Sequence, residues 1–173
     1  LLYGKENIDK LKNKHVAIFG VGGVGGYVVE SLIRSGIGHI SIFDNDVVSI
    51  TNINRQIHAL ETTIGQKKTL MMKERILAIN PQAKVTTIEK LYTPESNFFN
   101  WDDNYTYIVD AVDDVKAKIN LIVNANKHNL PIMSSMGTAN KLDPQKFVIT
   151  DIYKTHTCPL ARIMRKTLKQ QGI

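Results

Sequence analysis

Short apolar runs alternate along the chain with longer stretches whose apolar residues recur at helical spacing. Residues 15–19 (HVAIF) form an uninterrupted apolar run stopped at Gly20, which predicts a buried strand. Residues 24–35 put Val24, Val28 and Leu32 on one helical stripe and end at Gly36, a glycine suited to close a helix. Residues 39–43 (HISIF) predict a second strand ending at Asp44, and a polar stretch follows over 45–63. Residues 66–79 are amphipathic, with Met72, Ile76 and Ile79 on one face, and Pro81 enforces the stop. Further strands are predicted at 84–89, 106–112 (TYIVDAV), 131–136 and 147–152. Thr93-Pro94-Glu95 predicts the first turn of a short helix. Residues 115–128 read as a helix with Ile119, Ile122 and Val123 inward, and residues 158–170 as a basic helix.

Alternating strands and helices joined by short links imply an α/β fold, a Rossmann-like, mostly parallel sheet with helices on both faces. No internal repeat or interdomain linker breaks the pattern, so residues 1–173 read as a single domain. In such sheets ligands sit beyond the carboxyl ends of the strands. The informative positions are therefore 20–26, 44–56, 113–114 and 134–140.

Composition narrows the classes. With 43% hydrophobic residues and no low-complexity tract, disorder is excluded as the main state. The apolar runs are far shorter than the roughly 18–20 residues of a spanning helix, so no membrane span is expected. Lys5, Glu6, Asp9 and Lys10 come too early for a signal peptide to be expected. Cys158 is the single cysteine, which excludes an internal disulfide and a CxxC zinc pair. The expected compartment is the reducing cytoplasm.

The run Gly20-Val21-Gly22-Gly23-Val24-Gly25-Gly26 contains G-x-G-x-x-G between a predicted strand and a predicted helix. Glycines permit the tight turn and a close phosphate approach, and the helix N-terminus offers free N–H groups. Asp44 follows Gly25 by 19 residues at the end of the next strand, where a carboxylate can accept from ribose hydroxyls. Together these residues predict adenine-nucleotide binding, although the glycines also suit a turn needed only for packing. Arg55 and Gln56, with Asn52 and Asn54 just before, lie in the polar stretch, and Lys67 and Lys68 open the next helix. Cations in a first turn oppose the helix dipole by about 0.3–1 kcal/mol each, so an anion is expected nearby. With Arg55 they could surround a triphosphate, while Lys67 alone reads more readily as solvated charge. Asp114 reads as the cap of the following helix, Asp113 as a Mg²⁺ ligand, and Asp110 as structural. His15, His39, His58, His128 and His156 show no metal-ligand spacing and read as structural. Cys158 has no nearby motif that would lower its pKa and reads as an incidental thiol.

These residues, in this order, resemble the ubiquitin-activating-like adenylyltransferases of the ThiF/MoeB/HesA type. The resemblance runs from the Gly20 loop through Asp44-Asn45-Asp46, Asn52-Ile53-Asn54-Arg55-Gln56, Lys68 and Asp113. It implies ATP and Mg²⁺ as cofactors. Gly20, Gly22, Gly23 and Gly25 would lie near the phosphates, Asp44 would hold the ribose, and Asp46 would belong to the nucleotide site. Asn52, Arg55 and Lys68 would contact the triphosphate, Gln56 would belong to the nucleotide site, and Asp113 would hold magnesium. Arg55, Lys68 and Asp113 are the expected catalytic groups. The segments TNINRQIHAL, VDAVDDVKAK and LDPQKFVITDIYKT are similar to one branch, the tRNA threonylcarbamoyladenosine dehydratases. That likeness implies ATP-driven activation of the threonylcarbamoyl carboxylate at tRNA position 37, followed by ring closure with loss of water. Attack within one molecule gains from proximity and needs no enzyme nucleophile.

The resemblance also implies a homodimer, leaves room for a sulfur-relay protein partner, and leads us to expect further chain before Leu1 and after Ile173. Two other functions stay open from the residues alone. One is an adenylyltransferase for a ubiquitin-like sulfur carrier, the other a nicotinamide-dependent oxidoreductase suggested by the glycine loop and Asp44. The net charge of +6 is uneven: residues 154–173 carry Lys154, Arg162, Arg165, Lys166 and Lys169 and no acid. The other 153 residues hold 17 basic and 16 acidic groups, or +1. The tail is thus the first candidate for contacting tRNA phosphates, with a plain solvated helix as the alternative.

Overall fold

The structure is a computed structural model and describes residues 4–173. Its centre is a sheet of five parallel strands, β1 (His15–Phe19), β2 (His39–Phe43), β3 (Lys84–Ile88), β4 (Tyr107–Asp110) and β5 (Ile132–Ser134). Their order across the sheet is β3-β2-β1-β4-β5. The winding direction reverses between β1 and β4, which opens a crevice at their carboxyl ends. The helices are α1 (Gly4–Lys12), α2 (Gly25–Arg34), α3 (Lys68–Ile79), α4 (Val115–Lys127) and α5 (Pro159–Gln170).

Alternation along the strands builds two cores. Val16, Ile18, Ile40 and Ile42 face Val29 and Ile33 of α2 and Met72 and Ile76 of α3. Ala17, Phe19, Phe43 and Ile108 face Tyr92, Phe99 and the Ala117, Leu121 and Ala125 row of α4. The expected layer of helices on both faces is thus present. Each fully buried aliphatic side chain contributes about 1.5–3 kcal/mol. Helix α5 packs on α4 and buries its own Ala161, Met164 and Leu168.

Four expectations need correction, and one helix went unpredicted. Helix α1 has no apolar stripe for periodicity to detect; it has no fully buried residue, and Leu11 packs only partly against the core. On α2 the buried row is Gly25, Gly26, Val29 and Ile33 instead of Val24, Val28 and Leu32, because the glycines draw that face against the sheet. On α4 the buried row is Ala117, Lys118, Leu121 and Ala125, while Ile119, Ile122 and Val123 are half-buried. Residues 93–95 form a single turn instead of a helix: the Thr93 N–H donates to Ser96 Oγ and the Ser96 N–H returns to Thr93 O. Residues 147–152 form no strand. Asp143 and Asp151 accept from the N–H groups of Gln145 and Tyr153 and tighten turns at both ends, leaving Phe147, Val148 and Ile149 exposed.

Candidate active site

Strand register sets the site. Phe19 is level with Phe43 on one side and with Asp110 on the other, and Asp110 is level with Ser134. Gly20, Asp44, Ala111 and Ser135 therefore leave the sheet at one edge. Main-chain bonds tie the exits together: Gly20 N–H to Phe43 O, Asp44 N–H to Ile88 O, Ala111 N–H to Phe19 O and Ser135 N–H to Asp110 O. The crevice above them has a volume of about 780 Å³. Such a volume lies within the range of small-molecule sites.

The glycine loop wraps this edge. Gly20 has φ +83°, and a Cβ there would lie 2.8 Å from Ala111 O. A Cβ on Gly25 would stand 1.9 Å from Gly20 O, so only glycine lets α2 start against the strand end. No side chain caps α2 at Val24, which leaves first-turn amides for an anion. The Asp44 carboxylate braces the loop, accepting the Val21 N–H at 2.9 Å and the Asp46 N–H at 2.9 Å.

The polar stretch after β2 is an excursion closed at its base by a bridge between Val47 and Lys67. Inside it, Asn52 is buried and holds a turn: its Oδ1 accepts from the Ser49 N–H, and its carbonyl accepts from Arg55 and Gln56. This turn sets Arg55 and Gln56 beside the glycine loop, where a Cβ on Gly23 would touch Arg55 at 3.2 Å. The Arg55 guanidinium donates to Thr51 O and Asn54 Oδ1. Lys68, only 5% exposed, pairs with Asp46 at 2.6 Å. Lys67 lies outside the crevice, loosely opposite Glu89 at 3.9 Å, as solvated charge should.

Of the residues singled out above, Gly20, Gly22, Gly23, Asp44, Asp46, Asn52, Arg55, Gln56, Lys68 and Asp113 line the crevice. Gly25 sits behind the wall as its support. Asp114 caps α4 by accepting the Ala117 N–H at 2.7 Å, which leaves the exposed Asp113 facing the crevice rim.

The residue reading gave Asp110 a structural role, which its burial bears out, but missed its partner Lys118 on the crevice floor. Asp110 and Lys118 are buried together, with Lys118 Nζ 3.0 Å from both carboxylate oxygens. Ser134 Oγ donates to Asp110 Oδ2, and Asp110 Oδ1 accepts the Val112 N–H. Burial pushes the Asp110 carboxyl up, against the pull of Lys118 and Ser134. Lys90, Leu91 and Tyr92 also line the crevice, and their position after β3 was the available signal. Cys158 differs from its expectation. Burial raises its thiol, but the amide N–H of Ala161 and further backbone contacts outweigh this and bring it below the ordinary value. Among the described residues no cluster of three or more acidic, histidine or cysteine side chains could alone hold a metal ion. No described helix is long and apolar enough to cross a membrane.

A parallel sheet of this order, with a glycine loop and an aspartate at the next strand end, defines a nucleotide-binding α/β domain. Residues 1–172 match the model of the ThiF family. The chain belongs to the ThiF family. Over all 173 residues it is 47% identical to the tRNA threonylcarbamoyladenosine dehydratase of Bacillus subtilis, covering 68% of that protein. It is 38% identical to the Escherichia coli enzyme of that name over 97% of this chain and 63% of that protein. A crystal structure of the E. coli dehydratase in complex with ATP superposes with a TM-score of 0.94, covering 97% of this chain and 69% of that one. A sulfur carrier protein adenylyltransferase of Thermus thermophilus is similar over a shorter region, 31% identical over 64% of this chain and 40% of that protein. The chain thus spans about two thirds of these two bacterial dehydratases.

Proposed function

We propose that this chain is the ATP-binding core of a cytoplasmic tRNA threonylcarbamoyladenosine dehydratase. The observation that carries the reading is the likeness to that enzyme along the whole chain, with ATP present in the superposed relative. Sulfur-carrier adenylyltransferases match only part of it.

In this reading ATP lies over the glycine loop, whose amides meet the phosphates. Asp44, already fixed by Val21 and Asp46, turns its remaining lone pairs to the ribose. Arg55 and Lys68 balance phosphate charge, with Asn52 and Gln56 shaping the wall between them. Asp113 suits Mg²⁺, because this ion is commonly held by one or two carboxylates together with phosphate oxygens. Bound there, magnesium would neutralise phosphate charge. An oxygen of the threonylcarbamoyl carboxylate attacks a phosphorus of ATP, whose bond to the departing pyrophosphate or ADP breaks. The activated carboxyl is then attacked by a nitrogen of the same modification, which gives up its proton to solvent. A C–N bond forms, the activated C–O bond breaks, and the oxygen leaves on the phosphate. The nucleoside thereby loses one water. Lys118 and Asp110 hold the floor beneath these groups.

The reading includes a homodimer, supported by the exposed apolar side chains Leu142, Phe147, Val148 and Ile149. The test gives the full-length protein ATP, Mg²⁺ and tRNA carrying linear threonylcarbamoyladenosine, followed by nucleoside mass spectrometry. Loss of one water is expected. A persistent linear nucleoside, together with adenylation of a ubiquitin-like carrier, would overturn the reading.

A further inference from the structure

Helix α5 is amphipathic: one face is core, and the other carries three exposed cations beside the exposed Ile163. Ala161, Met164 and Leu168 are buried, while Arg162, Lys166 and Lys169 are exposed. These three stand at i, i+4 and i+7 and share one side of the helix. Their rises of about 6 and 4.5 Å match the spacing of neighbouring phosphates in an RNA strand to within side-chain reach. No acid occurs from residue 152 to residue 173, so no nearby carboxylate on this stretch competes for them. Arg165 is the exception on the helix: its guanidinium donates to Thr155 O at 2.9 Å and to Thr155 Oγ1, which commits it to holding the helix start.

Position gives the basic face its meaning. Leu160, in the first turn of α5, lines the nucleotide crevice, and so does Gly137. A Cβ on Gly137 would touch Cys158 Sγ at 3.3 Å and Leu160 Cβ at 3.8 Å, so the helix start is packed against the crevice wall. From there the helix runs about 18 Å away from the site. Along it lies a second concavity of about 690 Å³, lined by Pro159, Arg162, Ile163, Arg165 and Lys166. Cations around an apolar surface suit a nucleic-acid strand, which presents phosphates and base faces together.

We infer that the exposed face of α5 is the docking surface for the tRNA backbone flanking the target nucleotide, with Arg162, Lys166 and Lys169 as its phosphate contacts. The inference rests on the tRNA-substrate reading above. It assigns the phosphate grip to a helix that enters the crevice wall, so that a nucleotide held there directs its modification toward the ATP site.

The test is tRNA binding by fluorescence anisotropy at several salt concentrations, using the full-length protein and tRNA bearing linear threonylcarbamoyladenosine. The variant Arg162→Gln/Lys166→Gln/Lys169→Gln should raise Kd about tenfold or more at 0.1 M salt. It should lower the slope of log affinity against log salt by about 2, at 0.7–0.9 per lost phosphate contact. ATP affinity should not change. The charge-matched control Lys5→Gln/Lys10→Gln/Lys12→Gln should bind tRNA almost as the parent does. Parent-like binding and slope in the α5 variant would overturn the inference and leave the face to an acidic protein partner. An equal loss in both variants would overturn it too, by reducing the effect to net charge. Failure of the dehydratase reading shows separately, as absent turnover in a protein whose α5 variant still loses tRNA binding.

Discussion

Asp113 and Asp110 lie three residues apart and illustrate opposite uses of a carboxylate. Asp113 is exposed at the crevice rim and carries no part of the fold. Asp113→Ala should therefore leave thermal stability within about 0.5 kcal/mol of the parent. It should weaken Mg²⁺-dependent ATP binding at least tenfold and abolish dehydration, measured by calorimetry and nucleoside analysis. Retained turnover would remove Asp113 from the metal role. Asp110 is buried with Lys118 and holds the Val112 N–H, so it fixes the turn from which Asp113 projects. Lys118→Met strands that carboxylate and should cost about 3–5 kcal/mol in urea unfolding. Adding Asp110→Asn should recover part of this loss, because the unpaired charge is then gone. A double variant no more stable than Lys118→Met would show that packing, and not charge pairing, is what Lys118 contributes.

At the scale of elements, the starts of β1 and β2 form a histidine pair. His15 and His39 stack with ring centroids 3.4 Å apart, and His15 Nε2 lies 2.8 Å from Ser41 Oγ. Burial, His39 and Lys84 bring His15 to about 4 despite Asp103, and burial and Lys84 lower His39. His58, 4% exposed, is brought to about 4 by burial and by Lys68, against Asp44. The His15 and His58 rings stay neutral in the fold down to about pH 4 while the unfolded chain takes up protons below about 6.5, and His39 shifts in the same direction. The stabilisation from His15 and His58 is thus present above pH 6.5 and lost as pH falls toward 4. For His58 the shift is worth up to about 3 kcal/mol. Urea unfolding at pH 7.5 and 4.5 should show a smaller pH-dependent loss in His58→Gln than in the parent, and equal losses would contradict the assignment. Nothing in the sequence announced this pair, because it arises from the register of β1 on β2. The strands and the glycine loop were legible because apolar runs ending in glycine or aspartate have few other readings. The rotation of α2 and α4 was not, since burial of Gly25, Ala117 and Lys118 depends on what the sheet presents to them. Residues 147–152 open with an apolar run like a strand, but no neighbouring strand offers them a ladder and Asp-braced turns at both ends win.

The whole molecule separates its surfaces by chemistry. The nucleotide crevice lies at the carboxyl edge of the sheet, basic side chains without acids mark α5, and the two most exposed large apolar side chains, Leu142 and Ile149, lie between β5 and α5, while a second exposed apolar group runs from Val47 to Leu70. Leu142 is 98% exposed, Ile149 87% and Val148 68%. Exposed apolar residues grouped on one segment mark an interaction surface more often than scattered ones do. A symmetric pair of chains can cover such a segment with its own copy, because a two-fold interface uses the same patch twice. The full-length protein should therefore scatter light as a dimer. Val148→Asp/Ile149→Asp should shift it to a monomer without loss of the single-chain fold by circular dichroism, since neither side chain contributes to either core. ATP binding by that monomer should persist, because Arg55, Lys68 and Asp113 all come from one chain. A parent protein that is monomeric at micromolar concentration would sink the dimer. A variant that stays dimeric would instead move the interface away from this segment.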